Sequence, residues 1–257
     1  MVRGRWIVVL VGVTGCVRDL ALDDLDRSTR DGFAQIGQTE RVRVYSSPAF
    51  TGDGEAVAAA ADAELASLFE RYGGTQRRQA ALYFHAAAAW PSNVEQYHGV
   101  AHCDDLSADL IADGARPPTF AIDHELAHLA ACDTVGANAR PLLEEGLATA
   151  STGGYGVLRA DGDWSLRALF VGNEFKAQVS PTAYDVGASF VTFAVERIGL
   201  PAYLARVHGP AAYGTTDEVE PILERELGGG FLAIECELRA RLAGVTCTCL
   251  PDGSCAP

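Results

Sequence analysis

Thr119-Phe120-Ala121-Ile122-Asp123-His124-Glu125-Leu126-Ala127-His128-Leu129-Ala130 is the stretch on which the reading of this chain turns. Its apolar spacing predicts a helix over 119–132. Positions i and i+4 of a helix lie about 40° apart around the axis, so His124 and His128 project from one face, one turn apart. Two neutral imidazoles so placed can bind one Zn²⁺, and Glu125 stands beside them within reach of a water at the metal. Ile122, Leu126, Leu129 and Ala130 supply an apolar surface that can bury the helix against a sheet. The plain alternative is a helix with two satisfied polar histidines. Burying two imidazoles and a carboxylate on one apolar helix without a partner is costly, and a metal explains all three. HExxH arises by chance on the order of once in a hundred chains of this length, so the motif needs support from a third ligand.

That ligand should be an acidic, imidazole or thiolate group on a neighbouring element. Pro141-Leu142-Leu143-Glu144-Glu145-Gly146-Leu147-Ala148 offers two adjacent carboxylates on a predicted helix over 140–151. HExxH followed by a helix reading Glu-Gly-Leu-Ala resembles the gluzincin metallopeptidases, the peptidase MA-like group related to aminopeptidase N and thermolysin. In that pattern the glutamate just before the glycine binds the metal. The resemblance therefore implies Glu145 as third ligand and leaves Glu144 as the lesser candidate; Leu143 stands where the pattern usually has an aromatic. Further on, Tyr184-Asp185-Val186-Gly187-Ala188 is similar to the YxxGA segment that opens a helix in aminopeptidase-like gluzincins. There the tyrosine hydroxyl stabilises the tetrahedral oxyanion, which implies a catalytic role for Tyr184. The alternative is a core tyrosine at a helix start.

The resemblance covers residues 40–243 loosely, with specific motifs at 124–128, 145–149 and 184–188. It implies an α+β, zincin-like fold: a small N-terminal mixed β-sheet with the active-site helix, then a mainly helical C-terminal part. It also implies zinc-dependent hydrolysis of a peptide or protein substrate. Zn²⁺ with three protein ligands keeps a position open for water and lowers its pKa toward ~7. Glu125 is then the general base, taking the water's proton and delivering it to the leaving amine. Tyr184 and the metal would share the developing negative charge. Thr149, one turn after Glu145, is a candidate partner for that ligand. Gly99-Val100-Ala101 falls where gluzincins place residues leading to the substrate-binding edge strand. The acidic, glycine-rich exopeptidase signature of true aminopeptidases is not evident, so trimming of free N-termini is not implied.

Around these motifs the pattern is coarse. Arg41–Tyr45 alternates with period two and predicts a first strand, and Gln79–Phe84 a second. Residues 54–72 predict a helix ended by Gly73-Gly74, and 106–111 a short edge strand. Helical patterns follow over 182–198, 200–207, 217–226 and 229–243. Strands early and helices late predict an α+β domain. His98 and His102 read as loop residues with a minor claim on a second metal, and His85 and His208 as ordinary isolated histidines. Gly228-Gly229-Gly230 reads as a helix break, since no strand precedes it and no lysine follows as in a phosphate loop.

The N-terminus reads as an address. Arg3 and Arg5 precede an apolar stretch over 6–13, and Val13-Thr14-Gly15-Cys16 resembles the bacterial lipobox, which implies a lipid on Cys16 and a membrane anchor outside the cytoplasm. An ordinary signal cut near the same place is the alternative. The predicted division is a signal segment at 1–16, an acidic tether at 17–38, a metallopeptidase domain at 39–245 and a Cys-rich tail at 246–257. With Cys16 assigned to lipid, six of the 7 cysteines remain, an even set that in an exported chain predicts disulfides of open connectivity. The 257 residues are enough for a real core, and 48% hydrophobic with 21% charged residues excludes a wholly disordered chain. A net charge of −14 with no Arg/Lys cluster argues against a nucleic-acid partner. The rival to an enzyme is a catalytically inactive zincin-like lipoprotein serving as a binding or assembly module.

Overall fold

The computed structural model describes residues 30–48, 50–86, 90, 99–112, 119–136, 140–153, 158, 160–170, 181–212 and 215–256. The lipobox-like segment ending at Cys16, most of the tether and His98 lie outside these residues. The fold is α+β: a small mixed sheet near the N-terminus, then mostly helices. The sheet consists of β1 (Ala34–Gln38), β2 (Val42–Ser46), β3 (Ala80–Ala86), β4 (Gly99–His102) and β5 (Ser107–Ala112), in the order β1-β2-β3-β5-β4. β2, β3 and β5 run parallel, while β1 and β4 pair antiparallel at the two edges.

Two expectations are corrected here. The tether does not reach residue 38, because Ala34–Gln38 pairs with β2 as an edge strand. Its Ile36 is flanked by glutamines and Gly37, too little apolar alternation to mark a strand. The segment expected at an edge, 106–111, is instead β5, inside the sheet; β4 takes the edge, and His102, read as a loop residue, lies on it. Four residues of strand carry too little pattern to announce themselves.

Register sorts the side chains into two faces. Val42, Val44, Leu82, Phe84, Ala108 and Leu110 are fully buried on one face, against α1 (Gly54–Tyr72) and α2 (Thr119–Val135). α1 begins at Asp53, whose carboxylate accepts from the Ala56 amide at 3.1 Å, and stops at Gly73 with φ 70°. α2 is buried on nearly every side between sheet and helices, its polar His124, Glu125, His128 and Asp133 included. On the opposite face Tyr45 and Tyr83 stack at 4.9 Å beside a buried Asp109. Asp109 accepts from His85 (2.6 Å), His102 (2.8 Å) and the Arg30 guanidinium (2.6 Å to Nη2). Burial penalises its charge, but these donors outweigh that and hold the carboxyl far below the usual carboxylate range.

The remaining helices are α3 (Pro141–Ser151), a short α4 (Leu166–Phe170) that no sequence pattern announces, α5 (Pro181–Ile198), α6 (Leu200–Tyr203), α7 (Thr216–Leu227) and α8 (Phe231–Ala243). After α6 the chain makes a π-helical turn over Leu204–His208. Gly228 ends α7 with φ 78°, the break expected there. Three disulfides pair the six cysteines: Cys103 with Cys132, Cys236 with Cys249 and Cys247 with Cys255. The last two tie a tail hairpin, β6 (Thr248–Cys249) with β7 (Cys255–Ala256), to α8. No helix among the described residues is long and apolar enough to cross a membrane.

Candidate metal centre

Three elements converge on one buried point. α2 presents His124 and His128 one turn apart, their rings 4.8 Å between centroids. α3 brings Glu145 against them because its helix crosses α5 at very short range. A Cβ on Gly146 would lie 2.5 Å from the Gly187 carbonyl carbon, so only glycine at this crossing permits the approach. β4 closes the third side, with Gly99 packed so tightly on Glu125 that a Cβ there would meet Glu125 Cγ at 2.7 Å. The Cys103–Cys132 disulfide, Cα–Cα 5.3 Å, ties the end of β4 to α2 one turn beyond His128.

The donor atoms face one another. His128 Nε2 lies 3.1 Å from His124 Nε2, and Glu145 Oε2 lies 3.0 Å from His124 Nε2 and 3.6 Å from His128 Nε2. Ligands at about 2.0–2.1 Å in tetrahedral array stand ~3.3 Å apart, so the three edges fit a single small cation. Two imidazole nitrogens and a carboxylate oxygen are also the donor set for such an ion, and the three residues form one group whose ligand atoms lie within 4.8 Å of one another. His124, His128 and Glu145 are all 0–1% exposed.

Electrostatics agree with deprotonated ligands at two of three positions. Burial lowers His124, with the Glu145 hydrogen bond opposing, so its imidazole is neutral. Burial would raise Glu145, but His128 and His124 outweigh it and keep the carboxyl ionised. His128 goes the other way: burial pulls it down, yet the charges and hydrogen bonds of Glu145 and Glu144 leave it raised well above an ordinary histidine. A metal would have to displace that proton. Glu125 is fully buried, and the Ala101 amide approaches its carboxyl without good hydrogen-bonding geometry, opposing only slightly the effect of burial. Burial pushes its carboxyl up to about 8, His128 pulling down and Glu145 adding to the rise.

The structure brings His124, Glu125, His128 and Glu145 together. Glu144, the lesser candidate ligand, is on the far side of His128: its Oε2 meets Nδ1 at 3.3 Å, away from the donor cluster. Thr149 is buried, and its hydroxyl has no hydrogen-bond partner among the described residues, so the contact expected to Glu145 is not made. Tyr184 is buried on α5, three residues before the crossing glycine. His208, read as isolated, is in fact fully buried 3.8 Å from Glu144, and no sequence spacing announces that contact. A cleft of about 550 Å³ opens between the end of α3, α5 and α8, lined by Ala150, Asp185, Ser189, Phe193 and Arg241 among others; none of the three clustered donors lines it. No protein-family model matches this sequence and no curated protein matches it, so the site's own geometry carries the functional assignment.

Proposed function

We propose that the chain is a zinc-dependent peptidase of the gluzincin type with a zincin-like fold, exported and held at a bacterial membrane through a lipid on Cys16. The observation that carries this reading is the convergence of His124, His128 and Glu145 at tetrahedral spacing, with a buried, hydrogen-bond-poor Glu125 beside them. Bound there, Zn²⁺ would supply a Lewis acid for a carbonyl oxygen and lower the pKa of a water. With a cation at the three donors, whose charge opposes the rise that burial imposes on its carboxyl, Glu125 would be placed to accept the water's proton and return it to the leaving amine. Among the described residues β4 is an edge strand directly beside Glu125, the place where an extended peptide would add as a further strand. Tyr184 is the proposed donor to the developing oxyanion.

Metal content and peptide cleavage test this together. Wild type and Glu125→Gln should each hold about one zinc per chain, as a three-ligand catalytic site does. His128→Ala should hold none, and Glu125→Gln should cleave nothing from a peptide library. A folded wild type without zinc would sink the proposal. One observation favours a second reading, an inactive metal-stabilised binding module: the whole constellation is buried to 0–1% exposure, as closed structural sites are. Zinc retained in a wild type that cleaves no peptide would favour it.

A further inference from the structure

Glu144 is a buried carboxylate that the proposed reaction does not use. It precedes Glu145 on α3, and the two side chains reach His128 from opposite ends of the ring. Glu145 Oε2 faces Nε2 at 3.6 Å, whereas Glu144 Oε2 meets Nδ1 at 3.3 Å. An imidazole with one ring N–H donated to a carboxylate presents the other nitrogen as a lone pair.

Behind Glu144 stands a second buried group. Its Oε1 lies 3.8 Å from His208 Nε2, and Glu144 and His208 are 3% and 0% exposed. His208 arrives there at the end of the π-helical turn Leu204–His208, a rare local geometry that inserts an extra residue per turn and re-aims the side chains that follow. The turn is packed in place by Tyr203, fully buried, whose ring meets His208 edge-on at 5.8 Å. A π-turn that directs a histidine at a buried glutamate, itself in contact with a candidate ligand, forms a chain: His208, Glu144, His128.

We propose that Glu144, packed beside the buried His208 at 3.8 Å, is a positioning residue for His128: it accepts the Nδ1 hydrogen, fixes the tautomer, and aims Nε2 at the point where His124 and Glu145 converge. This rests on the reading that the three converging residues take a metal. Glu144 is on this account no ligand, so its removal should weaken metal binding without changing the number of ions held.

The test is Zn²⁺ affinity by chelator competition, with the Co²⁺ absorption spectrum as a report on ligand geometry. Both are measured on the full chain for wild type, Glu144→Gln, Glu144→Asp, His208→Asn, the Glu144→Gln/His208→Asn double variant and Glu145→Gln. Glu144→Gln keeps the side-chain volume and should still bind one ion, about 10–100-fold more weakly, with a shifted Co²⁺ spectrum at saturation. Glu144→Asp should recover part of the affinity and spectrum. His208→Asn should weaken binding less, in the same direction, and add nothing in the Glu144→Gln background. Affinity within about twofold of wild type and an unchanged spectrum in Glu144→Gln would overturn the inference alone. So would complete loss of the ion in Glu144→Gln with retention in Glu145→Gln, which would make Glu144 the ligand. A wild type that takes up neither Zn²⁺ nor Co²⁺ overturns the metal reading beneath it. Should Glu144→Gln fail to fold, the Glu144→Asp and His208→Asn pair carries the same comparison.

Discussion

Replacing Gly146 by alanine sets two effects against each other with opposite signs. In an ordinary helix interior the change stabilises by about 1 kcal/mol through propensity alone. At this position the new Cβ would stand 2.5 Å from the carbonyl carbon of Gly187 and 2.6 Å from its oxygen. That is about 1 Å inside the ~3.5 Å at which carbon atoms settle. Both obstacles are backbone, so no side chain can rotate out of the way, and α3 and α5 must part by roughly that distance. These helices carry Leu142, Leu143, Val186, Phe190 and Val191 into the core at 0–1% exposure. Overpacking costs ~1–3 kcal/mol, and with backbone on both sides the cost should stand at the top of that range, so that after the propensity gain the net loss should be about 2 kcal/mol. Glu145 is bonded to Gly146, and a shift near 1 Å exceeds the ~0.2 Å tolerance of ligand distances, so Zn²⁺ affinity should fall as well. The assay is the urea midpoint of the metal-free protein at constant m-value, followed by chelator competition. A Gly146→Ala midpoint equal to or above wild type would refute the crossing as described.

Other outcomes follow from the same geometry. Gly99→Ala drives a Cβ to within 2.7 Å of Glu125 Cγ and 2.8 Å of Oε1; zinc should stay bound while peptide turnover falls about 100-fold, and near-normal turnover would remove Glu125 from the chemistry. Asp109 has its folded pKa depressed below an unfolded value of 3.8, so its contribution is complete above that value and lost as pH falls further. Asp109→Asn removes the charge shared by His85, His102 and Arg30, while Arg30 keeps Asp105 at 3.2 Å and Ser107 at 2.9 Å, so the loss should be roughly 1.5–3 kcal/mol at neutral pH. The gap to wild type in urea midpoint should shrink below about pH 4, and a gap constant with pH would contradict this account. Removing the Cys103–Cys132 bridge, which spans 29 positions, by paired serine substitutions should cost about 3–4 kcal/mol in unfolding. Amide exchange at Gly99–His102 should then rise, and unchanged protection there would mean the bridge does not pin the edge strand.

Much of this architecture is legible in the sequence where local rules and tertiary packing agree. α1 carries its own start and stop in Asp53 and Gly73, and both ends fall where the pattern predicts. The i, i+4 geometry of His124 and His128 needs only a helix, and Glu145 needs only that the next helix return alongside the first. Legibility fails where a feature depends on contacts distant in sequence. His85, His102 and Arg30 meet at Asp109 from 24, 7 and 79 positions away, and nothing local marks any of them. β5 reads as an edge because the short β4 that covers it has no period to detect. The π-turn before His208 violates the 3.6-residue spacing on which helical reading relies, so the histidine it delivers to Glu144 looks unattached.

The glycine crossing also changes what the motifs themselves signify. Gly146 follows Glu145 in one of the segments that carry the gluzincin resemblance, and Gly187 follows Tyr184 by three residues in another. In the fold these two glycines touch each other: a Cβ on Gly187 would lie 3.0 Å from Gly146 Cα and 2.8 Å from the Leu142 carbonyl. Both segments are thus required by one helix contact, whether or not any chemistry follows. The glycine in each motif is explained by packing. What packing does not require is a carboxylate at 145 aimed at two imidazoles, because a buried charge at a helix crossing destabilises unless something pairs with it. The weight of the functional reading therefore belongs on Glu145, His124 and His128. Tyr184 inherits support only to the extent that its hydroxyl, and not merely its ring, proves necessary.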